Sequence, residues 1–116
     1  VIVDVDGYQR GIQLFNAREF YDAHEVWEDV WRESNGLEKQ FLQGLIQAAV
    51  AFHHHSTGNV IGACSLMGRA SKNLAECPEE FGGVRVTDLL ESLRQWREAL
   101  LEGDVMPWHP RIVSVE

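Results

Sequence analysis

Residues 37–56 constrain the fold more than any other stretch. At about 100° per residue, Phe41, Leu42, Leu45, Ile46, Ala48, Ala49, Val50 and Phe52 point in almost every direction around one helix. A helix that is apolar nearly all round has to be enclosed by others. One narrow stripe is the exception. Gln40, Gln43, Gln47 and His54 fall within about 60° of each other, flanked by the small residues Gly44 and Ala51. Such a stripe is either a seam toward solvent or one wall of a buried polar site, because buried amides and imidazoles need partners.

The second strong helix is amphipathic. Asn16 followed by Glu19 fits an N-cap with its capping-box partner, and Phe15 and Phe20 stand where a hydrophobic staple would. Phe20, Ala23, Trp27, Val30 and Trp31 then fall on one side, with Asp22, Glu25, Asp29 and Glu33 on the other. His24 and Glu28 edge the apolar stripe. At i and i+4 they can share a proton or an ion. Ser34-Asn35-Gly36 stops this helix.

Three shorter helices complete the pattern. Tyr8–Phe15 precedes the amphipathic helix. Asn59 can cap a helix from Val60 to about Glu76, whose Gly62, Ala63, Leu66, Ala70 and Leu74 suit close packing. Asp88 and Glu91 open a last one, residues 88–102, with Leu89, Leu93, Trp96 and Leu100 on one face. Residues 78–86 read as a loop, and Met106-Pro107-Trp108-His109-Pro110 as extended chain. The expected architecture is therefore all-α: a single-domain bundle of about five antiparallel helices without a sheet. The bundle occupies residues 8–103, with extended arms at 1–7 and 104–116.

Composition narrows the function classes. A net charge of −8 argues against nucleic-acid and anionic-membrane surfaces. No apolar run reaches the roughly 18 residues of a membrane span, and the start shows no basic region of a secretory signal. Cys64 and Cys77, mostly within one helix, would stand roughly 20 Å apart, too far for a disulfide. A reducing, cytoplasmic setting follows. The cations are eight Arg but only Lys39 and Lys72. Few lysines among many carboxylates is the composition of an acidic protein adapted to high salt. Ser56, Ser65 and Cys64 lack the base-and-orienter pattern of a nucleophilic enzyme.

Taken together, Phe15-Asn16, Ala23-His24-Glu25, Glu28, Trp31, Gly44-Leu45-Ile46-Gln47, His54, Gly58-Asn59 and Gly62-Ala63 resemble the signature of the family called domain of unknown function 309. The resemblance covers roughly residues 8–75. It implies a small bundle of about five helices. Some members carry the label "predicted metal-dependent hydrolase", but the family has no established activity.

Two functions are expected on these grounds. The first is an uncharacterised helical bundle whose polar network, Gln43, Gln47 and Asn59 with the His and Glu residues, fixes helix packing. Trp27, Trp31, Gly44, Gly62 and Ala63 would then serve packing, and the tryptophans would serve assembly into a homo-oligomer or binding of a protein partner. The alternative is a metal-dependent hydrolase. His24, Glu28 and His54 would hold a divalent ion such as zinc or manganese, and Glu25 or Glu28 would act as the catalytic base. His-Glu-x-x-Glu supplies one histidine fewer than the His-Glu-x-x-His pattern, so the site would need a ligand from a second helix. His53 and His55 fall off the stripe and read as surface residues.

Overall fold

The computed structural model describes residues 2–115; the outermost residues of the two expected arms, Val1 and Glu116, lie outside it. Five helices follow in order: α1 (Val5–Asn16), α2 (Phe20–Arg32), α3 (Gly36–Ser56), α4 (Val60–Ala75) and α5 (Val86–Glu102). Each helix packs on the next through a short connection, the arrangement of an all-α bundle. Among the described residues no helix is long and apolar enough to cross a membrane. The expected loop contains a two-residue hairpin, β1 (Glu80–Phe81) with β2 (Val84–Arg85), and Val84 also bridges Ser114.

α3 is the enclosed helix. Phe41, Leu42, Gly44, Leu45, Ile46, Ala48, Ala49, Ala51 and Phe52 are all buried. Its approach to α4 depends on Gly44, where an added Cβ would lie 2.7 Å from Leu74. α1 and α2 make an equally close pair. Trp27, fully buried, lies over Gly11 and donates its indole N–H to the Tyr8 carbonyl at 3.1 Å. Tyr8 in turn donates its hydroxyl to the Gly82 carbonyl at 2.6 Å, joining α1 to the hairpin. Burial pushes this phenol above its ordinary pKa.

The boundary between α1 and α2 differs from the sequence expectation. α1 starts at Val5, three residues before Tyr8, because the Asp4 carboxylate accepts from the Gly7 amide. It then runs through Asn16 and ends in a Schellman motif. Arg18 N–H donates to the Phe15 carbonyl, and Glu19 N–H donates to the Leu14 carbonyl. Arg18 takes the left-handed position, φ 65°, where glycine is usual. Asn16 therefore caps nothing, and Glu19 occupies the N-cap of α2 without a side-chain bond. The Phe15–Phe20 contact does form, with ring centroids 5.2 Å apart.

Asn16 has another task. Its side-chain amide donates to the Ile112 carbonyl at 2.9 Å and accepts from the Ile112 amide at 2.8 Å. This two-way bond fastens the C-terminal segment across the α1–α2 corner, with Ile112 buried. The segment is held at two further points. Trp96 donates its indole N–H to the Trp108 carbonyl, and Val115 N–H donates to the Gly83 carbonyl. The tail is extended and packed.

Replacing Asn16 with Ala removes both partners of a half-buried peptide. The expected cost is about 1–3 kcal/mol of unfolding free energy in denaturant titrations. Amide exchange at Ile112 should accelerate more than exchange inside α3.

Candidate functional site

His24 sits on the second turn of α2, half-buried. Its Nδ1 lies 2.8 Å from the Tyr21 carbonyl. A carbonyl only accepts, so Nδ1 carries the proton. Nε2 then faces Glu28 Oε1 at 3.6 Å. When the ring is protonated this is a charge-assisted pair at i, i+4. Glu28 is about half exposed, and Glu25 is exposed on the polar side of the helix. The Tyr21 ring stands against both His24 (5.0 Å) and His53 (5.1 Å). His53 of α3, expected to fall off the glutamine stripe as a surface residue, therefore meets this corner through Tyr21.

His54 is bound up with the α3–α4 corner. α3 also ends in a Schellman motif: Gly58 N–H donates to the His55 carbonyl and Asn59 N–H to the His54 carbonyl. Gly58 takes φ 85°, which a side chain would resist. The Asn59 side chain accepts from the Gly62 amide at 2.9 Å, capping α4, and lies 3.4 Å from His54 Nδ1. A Cβ at Gly62 would meet this cap at 2.5 Å. His54, Gly58, Asn59 and Gly62 are thus one corner-forming unit.

The glutamine stripe faces elsewhere. Gln40 and Gln47 line a groove between α3 and α4 with Arg69, Lys72, Asn73, Ala75 and Glu76. Gln47 Oε1 accepts from Asn73 Nδ2 at 2.7 Å. Gln43 is half-buried on the same helix. The stripe therefore pairs with α4, while His24 and Glu28 face Tyr21 and each other. Of the packing residues, Trp27 and Ala63 are fully buried, and Trp31 lies half-buried under the Lys39 ammonium, 4.1 Å from its ring centroid.

A metal would need His24, Glu28 and His54 to converge. Among the described residues no three His, Cys, Asp or Glu side chains stand together as a ligand set. His24 Nε2 and Glu28 Oε1 supply two donors. The 3.4 Å contact of His54 Nδ1 is to the Asn59 amide. The residues present do not fit a zinc centre, which takes at least three protein ligands.

A second aromatic and imidazole cluster was not legible from spacing. His109, on the tail, stacks among Phe20 (5.4 Å), Phe52 (5.4 Å) and Trp96 (4.9 Å). His55 meets the Trp96 ring at 5.0 Å. Burial, with the charges of Arg18 and His55 nearby, holds the His109 imidazole below its usual pKa. The flanking prolines Pro107 and Pro110, which fix an extended chain, are the only sequence signal that His109 is held in place.

Residues 8–66 match the family described as Domain of unknown function (DUF309), and the chain belongs to it. An uncharacterised protein of Aquifex aeolicus (strain VF5) is 33% identical over 82 residues, covering 70% of this chain and 25% of that protein. The uncharacterised protein YpuF of Bacillus subtilis (strain 168) is 33% identical over 95 residues, covering 77% of this chain and 55% of its own length. The chain thus spans a quarter of one relative and about half of the other.

The depressed pKa of His109 gives stability a direction with pH. The unfolded chain takes up the proton first, so the contribution is complete above the ordinary value of 6.5 and is lost as pH falls below it. Urea melts between about pH 7.5 and 5.5 should show a larger loss of stability for wild type than for His109→Gln.

Proposed function

We propose that this DUF309 member is a non-catalytic helical module that acts by association, meeting a second copy of itself through the face around Trp108. The observation that carries the reading is Trp108, whose side chain is 87% exposed while its backbone carbonyl is fixed by the Trp96 indole. A frayed tail would expose a tryptophan without consequence; this one is presented from an anchored segment. Val105 (88% exposed) and Leu101 (70%) are exposed apolar side chains of the same segment, Leu101 being separated from Val105 by Glu102, Gly103 and Asp104. Large exposed apolar side chains in series favour a protein interface.

Leu101 also lines a groove of about 340 Å³ between α4 and α5, with Ser71, Ala75, Leu90, Arg94, Arg97 and Glu98. Its apolar lining of Ala75, Leu90 and Leu101 and the Arg97 guanidinium suit an indole, which gains from both burial and a cation over its face, while Arg94 is engaged by Glu91 and Glu98. In a two-fold dimer each copy would offer one tryptophan and one groove, the self-complementarity that such symmetry requires.

The local pairing of His24 with Tyr21 and Glu28, and of His54 with Asn59, supports a structural role for these residues over the hydrolase alternative. The net charge of −8 supports partners other than nucleic acid or anionic membranes. The free, half-buried Cys64 and Cys77 accord with a reducing, cytoplasmic setting. In the longer relatives the same unit would be one module among others.

Sedimentation equilibrium tests the reading. Wild type should show a reversible monomer–dimer equilibrium. Trp108→Ala should weaken it by roughly 30-fold, equivalent to about 2 kcal/mol, with an unchanged helical circular dichroism spectrum. A wild type that stays monomeric at every concentration, or a variant that dimerises equally well, would overturn it.

A further inference from the structure

The α3–α4 groove is a second feature, and its argument is independent of association. It is open, about 500 Å³ in volume, and lined by Gln40 and Gln47 on α3 and by Arg69, Lys72, Asn73, Ala75 and Glu76 on α4. Its charge runs against the rest of the molecule. Over a chain of net charge −8, several other surface cations are engaged by neighbours. Arg32 pairs with Asp29, Arg85 with Asp88 and Glu80, and Arg94 with Glu91 and Glu98. Lys39 covers Trp31. Arg69 and Lys72 stand one turn apart on α4, and among the described residues neither makes an ion pair. Glu76 lies one turn past Lys72, a spacing at which a pair could form, and still leaves it unpaired.

The facing wall adds donors without adding charge. α3 contributes the amides of Gln40 and Gln47 to the groove and no carboxylate. The bond from Asn73 Nδ2 to Gln47 Oε1 uses one donor and one acceptor. It leaves the two N–H groups of Gln47 and the carbonyl of Asn73 for a ligand. Both amides are half-buried and fix each other, so their arrangement is set before a ligand arrives.

We propose that this groove binds a small organic oxyanion that also carries hydroxyl or amino groups. Arg69 and Lys72 meet the oxyanion, a phosphate monoester or a carboxylate, with charge-assisted hydrogen bonds. The Gln40 and Gln47 amides donate to the same or adjoining oxygens. The Asn73 carbonyl and the Glu76 carboxylate accept from the hydroxyl or amino groups. A bare inorganic ion lacks the hydroxyl or amino groups for the Asn73 carbonyl and the Glu76 carboxylate.

Side-chain amide resonances of Gln40, Gln47 and Asn73 give a local readout by NMR. The probes are ribose 5-phosphate, citrate and inorganic phosphate, titrated at low salt because exposed cations are screened. Ribose 5-phosphate or citrate should shift these three resonances saturably, and the stronger of the two identifies the oxyanion. Inorganic phosphate should bind at least about tenfold more weakly, lacking groups for Asn73 and Glu76. Arg69→Gln/Lys72→Gln, a change on exposed positions, should abolish the shifts and leave the backbone spectrum otherwise unchanged. Glu76→Gln should narrow the gap between the organic ligand and inorganic phosphate. The proposal is overturned if no probe moves the three resonances, or if the double variant responds like wild type.

Discussion

Phe52 holds the bundle together. Its ring touches Phe15 of α1, Phe20 at the start of α2, Trp96 of α5 and His109 of the tail, at centroid distances of 5.1–6.0 Å. One side chain on the central helix thereby contacts three other helices and the C-terminal segment. Edge-to-face contacts of this kind add to burial and fix orientation as well as position. Remove this contact point and the α1–α2 corner, α5 and the tail lose their common support. Tight glycine contacts at Gly11 and Gly44 then set how closely the helices approach.

This arrangement gives a physical meaning to the residues that carry the family resemblance. Asn16 fastens the tail through Ile112. Trp31 packs beneath Lys39, and Gly44 admits Leu74. Gln47 bonds Asn73 across the α3–α4 interface. His54, Gly58, Asn59 and Gly62 build the corner between those helices. Most of the motif is thereby explained as corners, caps and close approaches, none of which requires a reaction. His24 and Glu28 fit the same description, as a histidine pinned by its own helix and a carboxylate one turn on.

The helical class and the enclosed central helix were legible in the sequence because both follow from apolar periodicity alone. Phe41 through Phe52 could not be exposed in any fold. The corners were legible only in part. Asn16 has the chemistry of an N-cap, and only the long-range partner Ile112, 96 residues away in sequence, shows why it does something else. Arg18 hid the end of α1 because it holds a left-handed position normally marked by glycine. Helical spacing puts the glutamine stripe on one face of α3, but it does not say which neighbour that face meets. His109 and His53 were missed for the same reason: their partners are brought by the tail and by α2, not by anything adjacent in the chain.

We propose that the polar residues of α2 and α3 hold the fold rather than a metal. Denaturant unfolding of wild type and His24→Ala, each with and without added zinc or manganese, tests it most directly. The account predicts that His24→Ala loses about 1 kcal/mol and that neither metal changes the stability of either protein. A metal-dependent gain in wild-type stability that disappears in His24→Ala would contradict it, because only a site in the folded state can supply such a gain.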